Sequence, residues 1–204
     1  MQRQNPRKKK IVLGLTGSFG TGKSSVASIL RSAGAEVIDA DRIAHECLES
    51  ATPSYKKIVR IFGKNILFKD GKINRPELGR MVFNNKNLLK KLNSIVHPFV
   101  VSEIKKQIKL SKEGLIVLDA PLLIEAGLKG VVDKLIVVKA TQEEQIQRLL
   151  ERSSLSKFEI LKRIKAQIPL REKARLADFV IDNSGSISET KKQVERIRRK
   201  LWKN

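Results

Sequence analysis

A chain of 204 residues with 41% hydrophobic side chains is long enough for one domain carrying a small insert, and apolar enough to exclude wholesale disorder. One cysteine, Cys47, and two histidines, His45 and His97, exclude a disulfide framework or multi-cysteine zinc site and leave little for a histidine metal centre. Forty-two Lys and Arg against twenty-one Asp and Glu give a net charge of +21, which calls for an anionic partner: nucleic acid, a membrane surface or a phosphorylated small molecule.

The first apolar run, Ile11 to Leu15, is short, partly β-branched and ends in a glycine cluster, so it predicts a buried strand. Lys8-Lys9-Lys10 before it imitates a signal peptide, but Gly14, Gly17, Gly20 and Gly22 interrupt the apolar stretch and no small-residue cleavage site follows. From Ser24 onwards Val26, Ala27, Ile29, Leu30 and Ala33 recur at helical spacing, and Gly34 suits the residue after a helix end. Ala35 to Ile38 is a second strand candidate, and strand–helix–strand over so short a span predicts a βαβ unit and a parallel sheet.

The middle of the chain changes character. Pro53 opens a helix bearing Tyr55, Ile58, Val59 and Phe62, closed by Gly63. Asp70-Gly71 marks a turn between Ile66-Leu67-Phe68 and Ile73, and Pro76 suits a first helical position. Leu88, Leu89, Leu92, Ile95 and Val96 form a helical stripe that is expected to stop at His97-Pro98, with a further helix from Phe99 towards Leu110. Leu115 to Leu118 and Leu135 to Val138 are continuous apolar runs, as in strands covered on both faces. Thr141 with Glu144, and Ser156 with Glu159, fit the capping-box pattern. Phe179 to Ile181 predicts a fifth strand, and an amphipathic helix through Val194, Ile197 and Leu201 ends the chain. The expected organisation is an α/β core of residues 11–49 and 113–204, a helical insert at 50–112 and a basic N-terminal tail at 1–10.

Gly17-Ser18-Phe19-Gly20-Thr21-Gly22-Lys23-Ser24 matches G-x-x-x-x-G-K-[ST] in full, between a predicted strand and a predicted helix. Glycines let the backbone curl so that its N–H groups face phosphate oxygens, and the helix start adds the positive end of its dipole. Gly17, Gly20, Thr21, Gly22, Lys23, Ser24 and Ser25 are therefore candidate ATP contacts. Lys23 reaches the β- and γ-phosphates and the Ser24 hydroxyl is a candidate Mg²⁺ ligand.

Asp39 and Asp41 follow the second strand, at the edge where open α/β sheets bind ligands. Asp41 can take the proton of an attacking hydroxyl during in-line transfer; capping of the following helix is the competing role for both aspartates. Asp119, after the strand Leu115 to Leu118, is the second candidate Mg²⁺ group, or a turn aspartate. Arg148 and Arg152 share a helical face and, with Lys157, Lys162, Arg163 and Lys165, can form a basic flap over the triphosphate or a solvated surface.

Taken in order, several segments resemble dephospho-CoA kinase. They are Gly14 to Gly17 with Gly22-Lys23-Ser24, Val37 to Asp41, Phe62-Gly63, Asp70-Gly71, Asn74-Arg75, His97-Pro98, Pro121 to Glu125, Gln167, Lys173, Ala177-Asp178 and Val180 to Gly185. The resemblance covers roughly residues 11 to 190. It implies a P-loop kinase-like parallel five-stranded sheet flanked by helices, with a helical substrate-binding insert and a small lid at 148–170. The implied reaction is ATP-dependent phosphorylation of the ribose 3′-hydroxyl of dephospho-CoA, giving coenzyme A and ADP, with Mg²⁺ as cofactor. Within that resemblance Asp41 is the base, Lys23 and Arg152 assist transfer, Arg75 and His97 lie in the acceptor-binding insert, and Arg148 and Asn183 lie where ATP is held. Phe19 departs from the smaller aliphatic residue common in the family's loop, and Ser25 stands where threonine is common.

Two other readings compete. The same fold can phosphorylate a nucleotide or another small alcohol, or the charge can mark a nucleic-acid-associated ATPase. Residues 1–10 and 191–204 carry +5 and +6 of the excess, outside the matched segments, and aromatics are only 4% of the chain, too few for stacking platforms. Nucleic-acid binding beyond nonspecific attraction is thus not expected. No apolar run approaches the roughly 20 residues of a membrane helix, so a cytoplasmic monomer or weak homo-oligomer binding ATP and dephospho-CoA is the expectation.

Overall fold

Strands that are apolar along their whole length are stable only where both faces are covered, and parallel strands need crossover helices to supply that cover. The computed structural model describes residues 10–83 and 85–201. Five strands, β1 (Ile11–Gly17), β2 (Glu36–Asp39), β3 (Leu115–Asp119), β4 (Lys134–Lys139) and β5 (Phe179–Asp182), form one sheet in the order β2-β3-β1-β4-β5. β1 pairs in parallel with β3, Leu15 opposite Asp119, and with β4, Gly17 opposite Val138. β5 adds in parallel to β4. The central position of β1 carries the glycine loop to the carboxyl edge of the sheet.

The chain divides into two compact units, one running to Ile38 and resuming at Ser111, the other Asp39–Leu110. The sheet unit also holds α1 (Lys23–Ser32), α6 (Gln142–Arg152), α7 (Lys157–Lys165), α8 (Leu170–Arg175) and α9 (Ile187–Leu201), of which α1, α8 and α9 pack on the strands. One core cluster joins Leu13 and Leu15 of β1, Val26 and Leu30 of α1, Val117, Ile136 and Val138, and Val194 and Ile197 of α9. Each such side chain contributes about 1.5–3 kcal/mol on burial. The basic stretch after residue 190 is therefore anchored as far as Leu201: its apolar stripe is in the core while Lys191, Lys192, Arg199 and Lys200 face water. Within it Arg198 and Arg199 hydrogen-bond Glu195 and hold its carboxyl down to about 2. The N-terminal tail, apart from Lys10, lies outside the described residues.

The helical unit contains α2 (Ala40–Glu46), α3 (Pro53–Phe62), α4 (Arg75–Phe83) and α5 (Lys86–Leu110). Ile58, Phe62, Ile66, Ile73, Leu78 and Val82 form its own core. The unit starts at Asp39, upstream of the boundary at 50 expected from composition, because α2 packs on α5. Asp70-Gly71 makes the expected turn, with Leu67 and Ile73 bridged across it. The expected stop at His97-Pro98 does not occur: α5 runs unbroken for 25 residues with Pro98 inside it. A mid-helix proline costs about 3 kcal/mol, and packing of α2, α3 and α4 along α5 outweighs that. Among the described residues no helix is long and apolar enough to cross a membrane.

Candidate functional site

The glycine-rich segment links β1 to α1 in a tight curl. Gly22, at the N-cap of α1, has φ +80° and no side chain with which to cap the helix, so the first amides of α1 stay available to an anion. A Cβ there would stand 2.1 Å from Asn183 Nδ2, and one on Gly17 would meet Thr21 Oγ1 at 2.6 Å and the Val138 carbonyl at 2.8 Å. Glycine at these two positions is demanded by close approach, and at Gly22 by backbone conformation as well. Gly20, also at positive φ, lies against Leu149 of α6.

Polar side chains hold this curl from outside. Thr21 is fully buried and its hydroxyl donates to the Ser18 carbonyl at 2.9 Å. Asn183, just past β5, donates from Nδ2 to the Thr21 carbonyl and accepts from the Thr190 hydroxyl, each at 2.8 Å. Sequence reasoning placed Asn183 among the ATP contacts; its side-chain amide bonds the main chain of the loop. Arg148 donates from Nη2 to the Asn183 carbonyl at 2.7 Å. Its Nη1 is buried beside Gly22 and has no hydrogen-bond partner among the described residues, an orphan donor at the rim of an anion-binding loop.

Lys23 opens α1 and its ammonium is ion-paired with the carboxylate of Asp119 at the end of β3. Both groups are largely buried, with side chains 17% and 14% exposed. The cation that would meet phosphates and the carboxylate expected near a metal are thus brought into contact. Ser24 and Ser25, the next residues of α1, line a cavity of about 520 Å³ together with Ser28, Ile29, Ile187 and Lys191, which neither Lys23 nor Asp119 lines. Among the described residues there is no cluster of three His, Cys, Asp or Glu side chains that could hold a metal. A hydroxyl and one carboxylate are hard oxygen donors that suit Mg²⁺, an ion that takes its remaining ligands from water and phosphate.

Arg152 ends α6 and is exposed, as are Lys157, Lys162 and Lys165 on α7. Arg163 stands apart, its guanidinium 5.6 Å from the centre of the Phe19 ring, a cation–π contact. The bulky Phe19 is therefore occupied by a side chain of α7.

The remaining candidates belong to the helical unit. Asp39 and Asp41 separate in role: Asp39 is the N-cap of α2, its Oδ1 accepting from the Arg42 amide at 3.0 Å, while Asp41 lies exposed in the first turn. Arg75 is exposed at the start of α4 and lines a cavity of about 270 Å³ with Glu49, Phe68, Lys72 and Ile73. His97 lies half-buried in the middle of α5, and neither it nor Asp41 lines that cavity.

Sequence reasoning included Gln167, Lys173 and Glu125 in the resemblance, and Gln167 in the lid, but gave none of their side chains a role; they surround the loop's entry. Gln167 Oε1 accepts from both the Ser18 hydroxyl and the Phe19 amide at 2.9 Å. Lys173, fully buried on α8, pairs with Glu125 at 2.7 Å and donates to the Pro121 carbonyl at 3.0 Å. Lys173 sits in the run Leu170-Arg171-Glu172-Lys173-Ala174-Arg175, where nothing distinguishes a buried lysine from a solvated one. For α8 itself a signal existed: Pro169 immediately before its start. So too for α9, where Ser186 and Glu189 form a second complete capping box beside that of Ser156 and Glu159; at α6 Thr141 caps the Glu144 amide, but the Thr141 amide donates to Ser184 instead of to Glu144.

With this geometry in place, comparison with known proteins gives one consistent result. The model of the dephospho-CoA kinase family matches residues 11–189. The chain is 51% identical over 195 residues to the dephospho-CoA kinase of Carboxydothermus hydrogenoformans, covering 94% of each chain. It is 45% identical over 190 residues to that of Bacillus cereus, covering 92% of this chain and 95% of the relative. Among solved structures, TT1252 from Thermus thermophilus superposes with a TM-score of 0.86 at 32% identity, covering 97% of this chain and all of that one. A dephospho-CoA kinase from Campylobacter jejuni gives 0.69 at 33% identity, over 93% and 96%. A shikimate kinase from Bacteroides thetaiotaomicron, at 0.53 and 13% identity over 94% and 98% of the two chains, shares the fold.

Proposed function

The chain belongs to the dephospho-CoA kinase family, and on that premise we propose how its residues transfer the γ-phosphoryl group of ATP to the ribose 3′-hydroxyl of dephospho-CoA, giving coenzyme A and ADP. The observation that carries the proposal is the loop at Gly17–Ser24, preformed around its glycines, with Lys23 at its end and an orphan donor on Arg148 beside it.

On binding, the triphosphate takes over the Lys23 ammonium from Asp119, and the β- and γ-phosphate oxygens accept from the amides at the start of α1. Arg148 Nη1 gains its missing acceptor from the nucleotide, and Ser25 supports the phosphates. Asp119, released from Lys23, and the Ser24 hydroxyl are the residues that would hold Mg²⁺. The ion supplies charge neutralisation at the phosphate oxygens. Asp41 is the general base. Its carboxylate takes the proton of the 3′-hydroxyl as that oxygen bonds to the γ-phosphorus and the bond to the β–γ bridging oxygen breaks, leaving ADP. The family resemblance selects Asp41, the second aspartate of the Asp39-Ala40-Asp41 segment; Asp39 caps α2. Arg75 and His97 serve acceptor binding in the helical unit, the cavity beside Arg75 offering two cations and the Phe68 ring. Residues 148–170 act as the lid, Arg152 and the α7 lysines closing over the triphosphate and excluding water that would otherwise hydrolyse it.

Acceptor profiling with labelled ATP tests the proposal. Phosphate transfer to dephospho-CoA is expected, with little ATP consumed when no acceptor is present. ATP turnover that is equal with and without dephospho-CoA, or preferential transfer to a nucleotide or other small alcohol, refutes it.

A further inference from the structure

Two successive peptide units of the phosphate loop are gripped by one short segment that carries none of the loop motif. The side-chain carbonyl of Gln167, within the α7–α8 connection, accepts from the Phe19 amide and from the Ser18 hydroxyl, both at 2.9 Å. Six residues on, the Lys173 ammonium reaches the Gly17 carbonyl at 3.5 Å and the Pro121 carbonyl at 3.0 Å. The Pro121 carbonyl also accepts from Thr16 at 2.9 Å. Glu125 closes the circuit: it neutralises Lys173 at 2.7 Å and accepts from the Ile168 amide at 3.2 Å.

A peptide's C=O and N–H point in opposite directions because the unit is planar and trans. Fixing the Phe19 N–H from one side and the Gly17 carbonyl from another therefore sets the rotation of the peptides that lead into the curl. A buried lysine is costly to desolvate and is retained only where its three donors are used; here they are used on Glu125 and two main-chain carbonyls. Arg163, one turn before Gln167 on α7, adds its contact to the Phe19 ring.

We infer that Gln167 is a positioning residue for phosphoryl transfer, with the Lys173–Glu125 pair as its anchor: it holds the Ser18–Phe19 stretch in the conformation that aims the following amides at the γ-phosphate. This rests on the transfer reaction proposed above. Gln167 touches no reacting atom; it acts through the main chain of the loop.

The test pairs Gln167→Met, which keeps length but removes the acceptor, with Gln167→Glu, which keeps accepting oxygens and adds a negative charge near the triphosphate. Gln167→Met should lower kcat for dephospho-CoA phosphorylation roughly 10- to 100-fold, as expected of a displaced reacting geometry, with the KM for dephospho-CoA unchanged. Gln167→Glu should recover most of the lost kcat while raising the KM for ATP. Without nucleotide, hydrogen exchange at the Phe19 amide should quicken in Gln167→Met, while the amide of Leu13 in β1 keeps its rate. Equal kcat in Gln167→Met and the parent protein, equal losses in both variants, or an unchanged Phe19 exchange rate would each overturn the inference. The exchange result does not depend on the acceptor, so an inactive parent protein refutes the reaction and leaves the positioning role to be judged on Phe19.

Discussion

The two units treat their polar side chains in opposite ways. In the sheet unit Thr21, Asn183, Gln167 and Lys173 turn inwards and bond main-chain atoms around the glycine loop. In the helical unit Asp41, Lys72 and Arg75 face outwards, over a mainly apolar core in which Ser54 is buried and the Tyr55 hydroxyl donates to the Gly71 carbonyl. The first arrangement is a phosphate site whose backbone is set before any anion arrives, which spares reorganisation at the moment of reaction. The second presents exposed charged groups at the starts of α2 and α4 and in the turn before α4. Substitutions should therefore act differently in the two: on loop geometry and nucleotide affinity together in the sheet unit, and on single steps in the helical one.

The largest expected effect is that of Lys23→Ala. It removes the charge at the phosphates, so kcat/KM should fall about 10³-fold and ATP affinity, measured by titration calorimetry, should fall with it. An affinity that stays at the parent value would break the contrast, because the loop would then be gripping something other than phosphate. Next comes Asp41→Asn. Turnover should drop about 10²-fold with ATP affinity unchanged, since the helical unit contributes to the transfer and not to the nucleotide. A folded variant with near-normal turnover removes Asp41 from the role of base.

The smallest effect sharpens the comparison through pH. Lys134, as hydrogen-bond donor, and then the Leu135 amide hold the Asp178 carboxyl below its ordinary value. A lowered folded-state value means stability that is present above the unfolded carboxylate's range and is lost as pH falls through the folded one. Asp178→Ala, at the edge of the sheet, should cost about 1 kcal/mol at neutral pH for the lost bond to Leu135, with the ion pair to half-exposed Lys134 adding little in solvent. Denaturant midpoints of the two proteins should converge as pH falls below the ordinary aspartate range and through the lowered folded-state value. A gap that persists in acid would mean that packing, not the carboxylate, is responsible.

How much could be read beforehand follows the range of the interactions concerned. Each of the five strands appeared as its own apolar run, and Thr141 and Ser156 announced the starts of α6 and α7, because apolar runs and helix caps are recorded within a few residues. The loop was legible letter by letter, since its glycines answer to local backbone geometry. Pro98 misled for the same reason: a proline's local cost is plain in the sequence, whereas the packing of α2, α3 and α4 that outweighs it is not. As residue types Asp39 and Asp41 were equivalent; the resemblance favoured Asp41 as base, and the structure adds that Asp39 accepts from the Arg42 amide as the cap of α2.

What the sequence by itself determined was the phosphate loop between strand and helix, the five strands, and the order of segments that marks the family. What only the tertiary structure decided was which polar side chains hold that loop: Asn183 lies 162 positions from the Thr21 it supports, Gln167 148 from Phe19, and Lys173 52 from Pro121. A local motif is encoded where it acts. Its supports are residues of ordinary type whose burial and partners exist only once distant strands and helices are packed, and no spacing along the chain records that.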